Sequence, residues 1–221
     1  MIRLILVFLL ACLPAMLPAQ QLTAPPVDEA EQDESFSAYR AKLLKAVVAR
    51  DIDAILSMSA EDIRLSFGGA SGHAALRQFL TVDPDSFSPD RRFEAPALRE
   101  RNWADLETVL RMGGVFEGSG RFVAPYTWAF QPPDGLDPFE VMFVTGSGVA
   151  LRARPIRFGA VLARLDHDVV RHLDWVSGTS YVRVARPDGT EGFVHRDYLR
   201  ALVDYRAIFE KRGGIWKMTT F

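Results

Sequence analysis

Cysteine is all but missing from this chain: Cys12 is the only one among 221 residues. That excludes a disulfide framework and a thiolate metal site. Histidine is nearly as scarce. His73, His167, His172 and His195 are the only four, and no two stand at the spacing of a helical metal pair. Charge of one sign is lacking too: 26 Lys and Arg stand against 28 Asp and Glu, a net of −2. The chain as a whole has no field to gather nucleic acid or an anionic membrane. Signatures of phosphate binding and nucleophilic catalysis are absent. The glycine-rich stretch 68–72 opens a helix after a strand, but it has neither the lysine of a P-loop nor the spacing of a dinucleotide fingerprint. Ser71 has no G-x-S-x-G elbow around it, so a turn followed by a helix cap is the better reading. Asp51 and Asp53 stand at a helix start, where aspartate is a common cap, and His73 has no visible nucleophile or orienting partner. No catalytic residue, metal or cofactor is expected.

Long apolar runs are confined to the start. Residues 4–13 form an apolar stretch of ten after the positive Arg3, the length of a signal-peptide core and too short to span a bilayer. Pro14 and Pro18 break it, and Ala19 offers a small residue for cleavage. Residues 1–19 therefore read as a signal peptide and the mature chain as periplasmic or secreted, with no transmembrane span. The run Leu9-Leu10-Ala11-Cys12 also resembles a lipobox, which makes lipidation at Cys12 the alternative.

Residues 20–35 hold Pro25, Pro26 and a dense acidic run and read as a solvated linker. Residues 36–135 read as an α+β N-terminal domain. Phe36, Tyr39, Leu43 and Val47 share one helical face behind Ser35 as a cap, and a second short helix covers 51–57. Residues 63–67 alternate as a strand, a helix runs from Ser71 through Leu80, residues 82–96 read as a loop, and a helix follows over 103–112 up to the stop at Gly113-Gly114. Charge divides the chain: residues 20–143 carry a net of −8 and residues 144–221 a net of +5.

From Glu140 the pattern turns to short apolar runs punctuated by glycine and Pro187-Asp188-Gly189. Gly148-Val149-Ala150-Leu151-Arg152-Ala153-Arg154-Pro155 resembles the opening of bacterial SH3-like domains, with Ala150 where that family commonly has Asn. Tyr181-Val182-Arg183-Val184 is similar to the family's W-x-K-V strand, and the stretch 187–194 to its d-G-x-x-G-W-V hairpin, with Phe193 for Trp. The resemblance covers about 60 residues. It implies a small SH3-like barrel over 141–204 and a peptide as ligand. More weakly, the flanks resemble a nuclear-transport-factor-2-like cone, which would make the barrel an insertion. Residues 205–221 would then be a C-terminal hairpin that packs on the N-terminal domain.

The expected fold class is thus α+β: an α-rich N-terminal domain plus a small all-β SH3-like barrel. Trp175, Tyr198 and Phe158 are expected to form an aromatic platform with Arg154 and Arg157 beside it, while Tyr181 and Phe193 fill the core. The ligand-binding residues expected from this are Arg154, Trp175 and Tyr198. The reading is a non-enzymatic binding or scaffold protein whose partner is a peptide, a peptidoglycan stem peptide or an envelope protein. The alternative is a small enzyme or ligand binder with a pocket among Tyr39, Phe67, Trp103 and Trp216. Mass spectrometry of the exported protein should find the mature N-terminus near Gln20; a chain retained in the cytoplasm and beginning at Met1 would refute export.

Overall fold

A computed structural model describes residues 21–221 of the chain. The expected leader, its cleavage point and Cys12 lie outside the described residues. The fold is mixed α and β with two separate sheets.

Four α-helices come first: α1 (Glu34–Val48), α2 (Ile52–Met58), α3 (Gly72–Thr81) and α4 (Ala95–Arg111). Asp33, not the expected Ser35, caps α1. Its extended backbone aims the carboxylate into the first turn, where Oδ1 accepts from the Phe36 amide at 3.0 Å. Ser35 instead donates its hydroxyl to that carboxylate at 2.5 Å. α4 begins eight residues earlier than the expected Trp103, because Pro96 sits in the first turn, where its missing N–H costs nothing.

The strands in chain order are β1 (Ser59–Arg64), β2 (Val115–Phe116), β3 (Arg121–Ala124) and β4 (Val141–Val144). Then come β5 (Val149–Arg152), β6 (Val161–Leu165), β7 (Val169–Trp175) and β8 (Tyr181–Ala185). β9 (Glu191–His195), β10 (Leu199–Ala201), β11 (Ala207–Arg212) and β12 (Ile215–Thr220) complete the chain. The first sheet has five strands in the order β1-β12-β11-β3-β2, and only β1 and β12 run parallel. β11 lies directly beside β3, so β4–β10 depart and return between two neighbouring strands. The last hairpin and the first helix share a core: Phe36 contacts Phe122, Phe209 and Trp216, with ring centroids 4.2, 5.3 and 4.8 Å away.

The second sheet has seven strands in the order β10-β4-β7-β8-β9-β5-β6, all antiparallel. Among the described residues, no pairing joins its edge strands β10 and β6. The closed barrel expected over 141–204 is therefore replaced by an open sheet. The edge strand β10 is only three residues long and spends its pairing on β4. One face buries Val144, Leu151, Val182, Val184 and Val194. β9 needs glycine at 192, where it passes so close to β5 that a Cβ would stand 2.7 Å from Leu151 Cγ. The other face buries Val141, Phe143, Val169 and Leu202, so β4 is buried on both sides.

That second face is covered by chain from outside the block, including Leu22, Ala24 and Phe130. Residues 21–33, read above as a solvated linker, form a strap across both sheets. The Val169 amide donates to the Leu22 carbonyl at 2.7 Å, and the Ala24 amide donates to the His167 carbonyl at 2.9 Å. The Gln21 amide group donates to the fully buried carboxylate of Asp168 at 3.1 Å. Further on, the Glu29 amide donates to the Gly114 carbonyl at 2.9 Å and the Glu29 carboxylate accepts from the Phe116 amide at 2.8 Å. The strap passes so close to the end of α4 that a Cβ on Gly113 would lie 2.5 Å from the Val27 carbonyl oxygen. The acidic run suggested solvation, but Leu22 and Ala24 just before it have apolar surface to cover.

Two predictions follow from this packing. Trp216 is 4% exposed and its indole N–H donates to the Ser35 hydroxyl at 3.1 Å. Trp216→Ala should cost about 3–5 kcal/mol in urea-induced unfolding, as expected for truncating a buried Trp. The Asp33 carboxyl is lowered from 3.8 to about 2, chiefly by the Ser35 hydroxyl, then by the Phe36 amide and Lys211. A lowered folded-state value means that its contribution is present at neutral pH and is lost as pH falls from about 4 through about 2. Asp33→Ala should cost about 1 kcal/mol at pH 7, with the gap to the parent protein closing below pH 3. A gap independent of pH would overturn this account of the cap.

Candidate functional site

The most developed concavity of the seven-stranded sheet is a groove of about 650 Å³. The turn 147–150 leading into β5, the turn 179–181 leading into β8 and the 3-10 turn Arg196–Tyr198 after β9 build it, together with Arg152 at the end of β5, Pro155 and Arg157 on the turn after it, and Arg164 on β6. Register brings the aromatic side chains together. Tyr181 pairs with His195 across β8 and β9, with their rings edge to face at 5.2 Å. Tyr198 continues the row, 6.3 Å from His195, and is 51% exposed.

Arg152, Arg157 and Arg164 line the same groove. The Arg152 guanidinium donates to the Gly159 carbonyl at 2.9 Å and that of Arg164 to the Gly148 carbonyl at 2.8 Å. Arg157 stands 5.8 Å from the Phe158 ring. None of the three has a carboxylate within 4.0 Å among the described residues, whereas most arginines of the chain do. The groove's one carboxylate, Asp197, stands 3.4 Å from His195 Nδ1. The lining therefore offers an aromatic row, three guanidiniums free of acidic partners, and hydroxyls from Ser147, Thr179 and Ser180.

Of the expected ligand-binding residues, Tyr198 lines this groove, but Arg154 and Trp175 do not. Trp175 is exposed at the end of β7, its ring 5.1 Å from that of His172. It pairs with Val182, whose side chain enters the core, and cross-strand partners share a face. Tyr181 is the next residue along and points to the opposite face, so the pleat separates Trp175 from the groove. Phe158, 87% exposed, lies beyond the groove on the turn between β5 and β6. The aromatic platform of Trp175, Tyr198 and Phe158 is thus not assembled. Tyr181, expected in the core, is a groove residue, and His195, Arg152 and Arg164 were missed. The alternation Tyr181-Val182-Arg183-Val184 carried the signal for Tyr181, because two valines make the better inner pair.

In the N-terminal unit, Tyr39, Phe67, Trp103 and Trp216 do not enclose a common cavity. The fully buried Phe36 fills the space against the sheet, Trp103 is buried on α4, and Phe67 is 47% exposed. Burial pushes the Tyr39 phenol up, and its hydroxyl donates to the Met58 carbonyl at 2.8 Å. A second polar cluster marks the seam between the sheets. The buried Arg200 on β10 reaches Asp204 at 3.5 Å and donates to the Tyr205 carbonyl at 2.5 Å. Burial raises the pKa of the nearby Asp105 on α4, and the Asp204 charge adds to the rise. Next to it, the Arg206 guanidinium lies 4.1 Å from the Trp128 ring centroid.

The chain matches no model of a known protein family, and no curated protein matches it.

Proposed function

We propose that this chain is a non-enzymatic binding protein of the bacterial envelope. Its seven-stranded unit acts as an SH3-like module with one seam open and holds an extended, carboxylate-bearing peptide. The observation that carries the reading is the groove itself: the row Tyr181, His195, Tyr198 beside three arginines with no carboxylate within 4.0 Å among the described residues. Aromatic ledges take the apolar stems of an extended peptide, and guanidinium forks take carboxylates in two-point contact. A peptidoglycan stem peptide or an acidic segment of an envelope protein meets both requirements. The leader-like residues 1–19 support delivery to the compartment where such ligands occur. The N-terminal helices and five-stranded sheet act as the scaffold, and the two flanks of the module are the two ends of one cone-like domain.

The test is sedimentation with purified peptidoglycan sacculi, followed by titration of a soluble stem peptide. The protein should bind both, and Tyr198→Ala or Arg164→Ala should weaken binding about ten-fold, or about 1.4 kcal/mol each. Both positions are exposed enough for thermal stability to stay unchanged. Absence of binding to either ligand, or binding indifferent to both substitutions, would overturn the reading.

A further inference from the structure

The turn between β5 and β6 carries a feature that the groove does not use. Ile156 is 46% exposed and Phe158 87%; next to them on the open edge strand β6, Val161 is 43% and Leu162 49% exposed. Four large apolar residues facing water within seven positions are costly unless something covers them. The turn is also firmly built. The Ala153 amide donates to the Ala160 carbonyl at 2.8 Å, the Ile156 amide to the Arg154 carbonyl at 2.8 Å, and the Gly159 amide to the Ile156 carbonyl at 3.0 Å. The Arg152 guanidinium closes it from below on the Gly159 carbonyl at 2.9 Å. Phe158 is therefore held outward by a fixed backbone.

Charge accompanies the apolar tip. Arg154 and Arg157 flank Ile156, and neither has a carboxylate within 4.0 Å among the described residues. The whole chain is close to neutral, but this tip combines exposed apolar side chains with unneutralised guanidiniums.

We infer that the turn 153–160, with the exposed start of β6, docks on the surface of an anionic bilayer. Ile156 and Phe158 enter the boundary between headgroups and acyl chains while Arg154 and Arg157 bind lipid phosphates. The shape decides between a lipid surface and a protein partner. The eight-residue turn with the two exposed residues of β6 falls well short of the roughly 20–30 residues a side, about 800 Å² per partner, of a stable protein interface. A bilayer accepts it by depth, and aromatic and basic residues together are what that boundary favours. Arg157 borders both surfaces, so the charge of this tip rests on Arg154, which the groove does not use.

The experiment is co-sedimentation of the full chain with vesicles of phosphatidylcholine containing about 30 mol% phosphatidylglycerol, whose anionic surface attracts basic residues, or of phosphatidylcholine alone. Binding should occur on the anionic vesicles, fall at least ten-fold on neutral ones, and weaken as salt is raised. Ile156→Ser with Phe158→Ser should lower it at least ten-fold, and Phe158→Leu should retain most of it. Arg154→Glu should lower it about five-fold or more, the effect of one basic contact. These positions are exposed, and an unchanged melting curve confirms the fold of each variant. Tyr198→Ala, which should impair the groove, should leave vesicle binding intact, so failure of the groove reading and failure of this one are distinguishable. No binding to anionic vesicles, equal binding to neutral ones, or binding indifferent to the serine pair would each overturn the inference. So would a Phe158-dependent dimer in lipid-free solution, since the tip would then be a contact between copies of the chain.

Discussion

The rest of the structure depends on the burial of one ring, Phe36. It stands in the first turn of the first helix and touches Phe116, Phe122, Phe209 and Trp216, residues of β2, β3, β11 and β12. Such a contact set is available only if the end of the chain returns to its beginning. The five-stranded sheet therefore has to be assembled from both ends, with β11 laid against β3. Everything between Ala124 and Ala207 leaves from one strand and comes back to its neighbour. The seven-stranded unit is held at its two stems, and its own strand order is free of the first sheet.

Two further connections tie the stems. The strap of residues 21–33 pairs with His167 and Val169 in one unit and with Gly114 and Phe116 in the other. On the opposite path, Arg200 on β10 sits buried among Asp204, the Tyr205 carbonyl and the field of Asp105. Burial disfavours the charged forms of both Arg200 and Asp105, so the cluster holds its place through mutual neutralisation and offers little net stability.

The elements were largely legible from periodicity. The face of Phe36, Leu43 and Val47, the glycine stop after α4, and the Gly213-Gly214 hairpin all follow local rules, and local rules suffice for helices and tight turns. Boundaries moved where two local signals competed. Asp33 outranked Ser35 as the cap, and Pro96, read as part of a loop, was the first turn of a helix. Long-range choices were beyond reach. Openness of the second sheet depends on what β10 and β6 pair with, which no stretch of sequence states. The groove was half legible for the same reason. Tyr198 and Trp175 were both chosen for their aromatic character, and only Tyr198 lines the groove, because aromatic character shows in the sequence and the face of a strand does not. Arg152 and Arg164 were invisible as site residues because their distinction is a missing partner, a property of the folded molecule.

The strap also sets an order of events. Gln21 and Asp168 lie 147 residues apart, yet the amide and the buried carboxylate are in direct contact. During synthesis the first of them emerges early and has nothing to bind until β7 is made. Closing so long a loop is entropically unfavourable, and contacts of such separation slow the approach to the native state. The strap is thus the covering of that sheet with the largest loop to close. Without Leu22 and Ala24 the face of Val141, Phe143 and Val169 would keep only Phe130 and Leu136 as cover and would expose apolar strand surface of the kind that invites proteolysis and aggregation.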